Sequence, residues 1–232
     1  MQMIGLLGGM SWESSALYYQ LINEEVNRRL GRLHSARCLM YSVDFEEIEQ
    51  MQATGSWEEA GERLGEAAAA LERGGADFIV LCTNTMHKVI GTIEGCVNIP
   101  VLPIAEAAVR EIRRQKLSRA GLLGTKYTME ETFYTDGLRS GGLEVTVPDP
   151  EPRAEINRII FEELCHGTVR PESKSYMLRV MEQLKQAGAE GIILGCTELG
   201  MLVTSEDTEL SVIDTTRVHA LEAVNEALKS YY

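Results

Sequence analysis

Two kinds of apolar pattern alternate along the chain. "MIGLLGG" is short, almost wholly apolar and closes on glycines, which predicts a buried strand followed by a tight turn. "WESSALYYQLINEEVNRRLG" instead carries apolar residues at helical spacing, with Ser11 placed to cap its start and Gly31 to stop it. "CLMYSVDF" reads as a second strand, "WEEAGERLGEAAAALERGGA" as a helix ending at a Gly-Gly pair, and "DFIVLCTN" as a third strand. After "VNIPVLPI" the pattern starts again. "AEAAVREIRRQKL" predicts a helix, "RAGLLGTKYT" a strand and turn, and residues 129–138 keep helical spacing. "LEVTVPD" is a strand, residues 154–187 are largely helical, "GIILGCTE" is a strand, and "LSVIDTTRVHALEAVNEALKS" closes with a strand and a helix. Such alternation predicts parallel sheets covered by helices.

The second half repeats the first. "IGLLGGM" resembles "AGLLGTK", and "GADFIVLCTNT" resembles "GAEGIILGCTE", at nearly equal separations. Aligned without a gap from Gly75 on Gly188, Leu81 falls on Leu194 and Cys82 on Gly195. Thr83 then falls on Cys196, and Asn84 on Thr197. The Cys-Thr pair common to both halves is therefore out of register by one residue. The expected architecture is α/β: two pseudo-symmetric, Rossmann-like lobes with mainly parallel sheets and a cleft between them. Residues 1–98 plus 212–232 form the lobe that carries Thr83, and residues 99–211 the lobe that carries Cys196. Open parallel sheets bind ligands beyond the carboxyl ends of their strands, where both residues lie. Two such lobes facing each other would put Thr83 and Cys196 on opposite sides of one small ligand.

Composition narrows the partners. A net charge of −13 argues against a nucleic-acid binder, which would show a basic face. No apolar run reaches the roughly 20 residues that span a membrane, and the first residues show no basic, long-apolar secretory signal. Five cysteines at irregular spacing make a poor disulfide framework and fit a reducing, cytoplasmic setting. The four histidines are scattered, and no Cys-x-x-Cys pattern suggests zinc.

A thiol and a hydroxyl on opposite sides of a small molecule suit proton transfer at one carbon: one group removes a proton, and the other returns one to the opposite face. An ordinary cysteine titrates near ~8.5, so a modest shift yields thiolate at neutral pH. Backbone N–H groups of the Gly-Cys-Thr turn are expected to favour that thiolate at Cys196. The competing role for Cys196 is a small buried apolar residue; the repeat and the strand-end position weigh against it. The Thr83 hydroxyl is a far weaker acid, suited to passing a proton or holding a water; its structural alternative is a bond to the turn backbone. Cys82 reads as packing. "GLLGG" is not a dinucleotide fingerprint, and either presents backbone N–H groups to a small anion or is an ordinary turn. "GTKYT" is its counterpart and offers the hydroxyls of Thr125 and Thr128. "EEIEQ" reads as a solvated helix face, the lone His87 as structural, and Lys126 as surface.

These residues together resemble a known family, the cofactor-independent aspartate/glutamate racemases. "GLLGGMSWES", "CTNTMH", "LLGTKYTM" and "GCTE" carry the likeness, which spans nearly the whole chain and is strongest to the bacterial L-aspartate/glutamate-specific branch. The resemblance implies a two-base mechanism without pyridoxal phosphate, metal or nucleotide, a site between two domains, and a homodimer. It implies that Cys196 handles the L-face proton and that Thr83, standing where the family has cysteine, takes the D-face. It also implies that Asn84, Thr85 and Thr197 hold the α-carboxylate and amino group, that Met10, Ser11 and Thr125 line the turns beside them, and that Gln52 meets the substrate's far end. Glu198 after Cys-Thr looks like the aspartate-racemase branch. Basic residues that some relatives place near the far end are here Gln52 and Cys165, which would admit glutamate as well as aspartate. With a weak base on the D-face, L substrates should react well and D substrates poorly. Two rivals use the same parts: a single-cysteine decarboxylase that protonates an enediolate, and a non-catalytic sensor of acidic amino acids. A redox-sensing cysteine protein is a third.

Overall fold

The computed structural model describes residues 1–231. The chain forms two compact units, one of Met1–Pro103 together with residues 219–231, the other of Ile104–Val218.

In the first unit the elements run β1 (Ile4–Gly8), α1 (Trp12–Leu30), β2 (Cys38–Ser42), α2 (Phe45–Thr54), α3 (Trp57–Arg73), β3 (Phe78–Leu81), a 3-10 turn at Thr85–Val89, α4 (Ile90–Glu94) and β4 (Val101–Leu102). Its four strands are parallel in the order β2-β1-β3-β4. All five residues of β1 are buried, as expected of a central parallel strand covered on both faces. Leu7, Ile79 and Leu81 point to the α3 side, against Ala60, Leu64, Ala68 and Leu71. Ile4, Leu6, Phe78 and Val80 point the other way, onto Tyr18, Ile22 and Val26 of α1. That second face is completed by Ala220, Ala223, Val224 and Ala227, from the last helix of the chain.

The second unit runs α5 (Ile104–Arg114), β5 (Arg119–Gly124), α6 (Lys126–Glu130), α7 (Thr132–Ser140), β6 (Glu144–Thr146), α8 (Pro150–Glu162), a 3-10 turn at Leu164–His166, α9 (Pro171–Gln186), β7 (Gly191–Gly195), α10 (Leu199–Leu202) and β8 (Ser211–Asp214). α11 (Thr215–Leu228) begins in this unit and passes into the first at His219. The strands are again parallel, in the order β6-β5-β7-β8, so the two sheets have one topology. Their registers agree as well. Leu7 pairs with Leu81, and its equivalent Leu123 pairs with Leu194. The ladders thus make Thr83 the positional counterpart of Cys196, two residues beyond the paired leucines.

Local signals explain the helix ends. Ser11 caps α1 by accepting from the Ser14 N–H, and Gly31 closes it with φ of 72°. Asp44 caps α2 in the same manner. Two helical stretches are broken where the spacing alone ran on. Residues 129–138 divide between α6 and α7 because Glu131 is extended, with φ −94° and ψ 154°. Residues 154–187 divide between α8 and α9, since Pro171 fits only a helix start and holds Arg170 extended.

The unit boundaries also differ from the reading of 1–98 plus 212–232 and 99–211. Residues 99–103 go with the first unit because Val101 and Leu102 of β4 pair with β3. β8 goes with the second because Ser211–Asp214 pairs with β7. Among the described residues, no helix is long and apolar enough to cross a membrane.

Candidate active site

The candidate residues collect at the carboxyl ends of the central strands, in one group within each unit.

In the first unit, β1 runs into the turn Gly8-Gly9-Met10-Ser11. Gly9 has φ of 95°, and a Cβ there would collide with the Val43 backbone, so this position requires glycine. The Gly9 N–H donates to the Ser15 hydroxyl at 2.7 Å, and that hydroxyl donates to the Ser11 carbonyl at 2.9 Å. Of the two readings of this turn, the anion cradle therefore loses its Gly9 donor to Ser15. Ser11 is buried, with its hydroxyl 3.2 Å from that of Ser14. Met10 lies in the apolar cluster under α3, and Gln52 is buried beside it, donating to the Met86 sulfur at 3.0 Å.

β3 ends at Leu81, and Cys82, Thr83, Asn84 and Thr85 follow, all buried. The Cys82 thiol points inward, 3.6 Å from the Val80 carbonyl, and complete burial pushes its pKa far up, so it packs rather than reacts. Thr83 is fixed through both backbone groups. Its N–H donates to the Leu81 carbonyl at 2.8 Å, and its carbonyl accepts from His87 Nδ1 at 2.8 Å. His87 is itself buried. Desolvation pulls its pKa down from 6.5 to about 4, against the opposing pull of the Thr83, Leu102 and Asn84 carbonyls, so the ring is neutral at physiological pH. His219 stacks edge-on to it, with ring centroids 5.8 Å apart. The Leu102 carbonyl can only accept, so His219 Nε2 donates to it at 2.9 Å. In a neutral His219 ring, Nδ1 is then the acceptor for the Tyr18 hydroxyl at 2.9 Å.

In the second unit, β5 ends at Gly124, and Thr125 caps α6 by accepting from the Thr128 N–H, the two hydroxyls lying 3.2 Å apart. Lys126 is exposed, with its ammonium 4.9 Å from the Tyr127 ring centroid, as a surface lysine should be. β7 ends at Gly195, and Cys196, Thr197 and Glu198 follow, each buried. One carboxylate oxygen of Glu198 accepts from the Cys196 thiol at 3.0 Å and from the Thr197 hydroxyl at 2.6 Å. Burial pushes the Cys196 pKa well above its ordinary value, and the Glu198 charge and hydrogen bond push it further. Cys165, packed beside the same cluster, opposes a charged Cys196 as well. This corrects the expectation of a resting thiolate: Cys196 rests as a thiol that donates to a carboxylate. The turn N–H groups are outweighed by desolvation and by the acid two residues on.

The buried polar residues that are described include no lysine or arginine. No group of three or more His, Cys, Asp or Glu side chains is placed to hold a metal among the described residues. Two side chains carry more of this geometry than their sequence signals suggested. Glu198 was legible only as a marker of one family branch, and His87 only as a lone histidine one helical turn past Thr83. The i+2 spacing of Glu198 from Cys196 and the i+4 spacing of His87 from Thr83 were the available signals.

Known proteins resemble this chain throughout its length. The family model described as Asp/Glu/Hydantoin racemase matches residues 7–223. A Yersinia pestis protein of solved structure, assigned to the Asp/Glu racemases, is 48% identical with a TM-score of 0.92, covering 98% of this chain and 100% of its own. An aspartate racemase homologue from Pyrococcus horikoshii OT3 is 37% identical with a TM-score of 0.84, covering 98% and 99%. The broad specificity amino-acid racemase RacX of Bacillus subtilis (strain 168) is 25% identical over 96% of this chain and 97% of its own.

Proposed function

Since the chain belongs to the Asp/Glu/hydantoin racemase family, we propose that it inverts the α-carbon of L-aspartate and L-glutamate by two-base proton transfer, without pyridoxal phosphate, metal or nucleotide. Cys196 takes the α-proton from the L-face and Thr83 supplies one to the D-face. The observation that carries this reading is the equivalence of Thr83 and Cys196 at the ends of β3 and β7, set by matching strand registers.

The protons balance as follows. Glu198 accepts the Cys196 thiol proton across their 3.0 Å bond, leaving a thiolate. The thiolate removes the α-proton of the L-amino acid, and the electron pair passes into the adjacent carboxylate. Thr83, directly or through a water it holds, protonates the opposite face. Solvent then restores the Thr83 proton and takes the one held by Glu198. Asn84, Thr85 and Thr197 bind the α-carboxylate and ammonium in this reading, with Met10, Ser11 and Thr125 beside them and Gln52 toward the side-chain end. The hydroxyl's weak basicity makes D substrates slow, while the equilibrium constant is untouched. The enzyme is read as a cytoplasmic homodimer.

The test is α-proton exchange in D₂O, followed by NMR on protein freed of pyridoxal phosphate, with both enantiomers of aspartate and glutamate. Exchange mainly from the L-enantiomers, lost in Cys196→Ala, is the expected result. Binding with no exchange from any of the four would end the racemase reading, and carbon dioxide release from a malonate would replace it with a decarboxylase.

A further inference from the structure

The two strand ends are equivalent in position but held by different means. Counting from the matched leucines, Thr85 stands where Glu198 does, and His87 where Gly200 does. In the second unit a side chain at the near position grips the Cys196 thiol itself. The far position has no side chain, and a Cβ added to Gly200 would come within 2.9 Å of the Asp214 carboxylate, which would have to shift to admit one. The Cys196 carbonyl is met locally, by the Leu199 N–H at 3.2 Å. In the first unit the far position carries His87, which reaches back to the Thr83 carbonyl at 2.8 Å.

That grip is braced from three elements. The His87 ring rests on His219 of α11, and His219 is locked between the α1 side chain Tyr18 and the β4 carbonyl of Leu102. With the Thr83 N–H tied to Leu81, both backbone groups of this residue are fixed while its hydroxyl is not consumed by the clamp. A buried polar network of this kind is costly unless satisfied, and satisfied it rigidifies what it holds.

We propose that His87 is the positioning residue of the D-face: by holding the Thr83 carbonyl, it fixes where the Thr83 hydroxyl, or the water it carries, meets the α-carbon. The inference rests on the two-base reading above and adds to it a division of labour. Cys196 is controlled through its proton by Glu198, and Thr83 through its backbone by His87. A weak acid that cannot be tuned electronically gains most from being placed, because misplacement of a reacting group by an ångström costs about 100-fold in rate.

The experiment compares wild type with His87→Ala and with His87→Asn, whose Nδ2–H donor sits where His Nδ1–H does. Two rates are read on L-aspartate in D₂O: loss of the α-proton signal, and appearance of the D-enantiomer by chiral chromatography. Cys196 can remove a proton and return a deuteron to the same face, so exchange does not need Thr83, whereas inversion does. His87→Ala is expected to lower inversion by about 10- to 100-fold while exchange stays within a few-fold, and His87→Asn to restore most of the inversion. Parallel loss of both rates, unchanged inversion, or no rescue by asparagine would overturn the proposal. Amide hydrogen exchange at Thr83 and Asn84 gives a readout independent of activity. Protection of the Thr83 amide should fall in His87→Ala and recover in His87→Asn, with Cys196 and Thr197 unaffected; unchanged protection overturns the clamp whatever the activity. A wild type that exchanges no α-proton would instead fell the racemase reading, and the amide data would still decide whether His87 holds Thr83.

Discussion

The end of β3 and the end of β7 share a sheet order, a ladder register and a burial pattern. They differ in what stands two, four and six residues past the paired leucines Leu81 and Leu194. One carries a thiol bonded to a buried acid; the other carries a hydroxyl on a backbone pinned by a buried histidine. A duplicated frame thus supplies the same geometry twice and leaves the chemistry to a few side chains. In the proposed reaction this asymmetry sets the direction: the thiol coupled to a carboxylate is the base, and the pinned alcohol serves mainly as a donor.

The largest expected effect comes from removing one side of this comparison. Cys196→Ala should reduce exchange from L-aspartate by roughly 10⁴-fold, near the upper reach of a single acid–base group; residual exchange within ten-fold of wild type would place the base elsewhere. Glu198→Gln should separate two quantities that ordinarily move together. Turnover falls by about 100-fold because the thiol loses its proton acceptor, yet the Cys196 pKa also falls, since the carboxylate charge that raises it is gone. The pH dependence of Cys196 alkylation, set beside kcat, checks this, and an unchanged or higher thiol pKa would refute it.

The opposite strand end predicts a stability effect. His87 has a folded-state pKa near 4 against an ordinary value of 6.5, so the unfolded chain binds its proton first as pH falls. The stability it contributes is complete above about pH 6.5 and is lost between there and about pH 4, by at most about 3.4 kcal/mol at 1.36 kcal/mol per unit. His87→Asn should flatten the Tm-against-pH curve in that window, and an identical slope in the variant would contradict it. The smallest change makes the two ends alike. Thr83→Cys should raise α-proton exchange from D-aspartate by about ten-fold, through a base intrinsically far stronger than a hydroxyl. Equal D rates in variant and wild type would mean that something other than the hydroxyl limits that direction.

Much of this was legible in the residues. The central strands are apolar runs because both of their faces are covered, and Ser11 and Gly31 punctuate α1 as their types require. The one-residue slip between the two Cys-Thr pairs was visible in an ungapped alignment and reappears as strand register. What escaped the pattern depends on distance in space. β4 has only two residues, too few for a period, so its pairing with β3 moved the unit boundary past Pro103. The protonation of Cys196 depends on burial and on the acid two residues away, neither of which a turn motif reveals. His87 looked isolated because Tyr18 and His219, which brace it, lie far from it in sequence.

The last of these distances bears on how the protein is made. The face of the first sheet bearing Ile4, Leu6, Phe78 and Val80 is finished by residues 220–227, near the end of the chain. Synthesis proceeds from the N-terminus and domains generally fold as units, so the unit begun before the other is completed after it. Ribosome-bound chains that stop short of α11 leave the part of that face not covered by α1 open to solvent, and would be substrates for chaperones until α11 emerges and brings His219 with it.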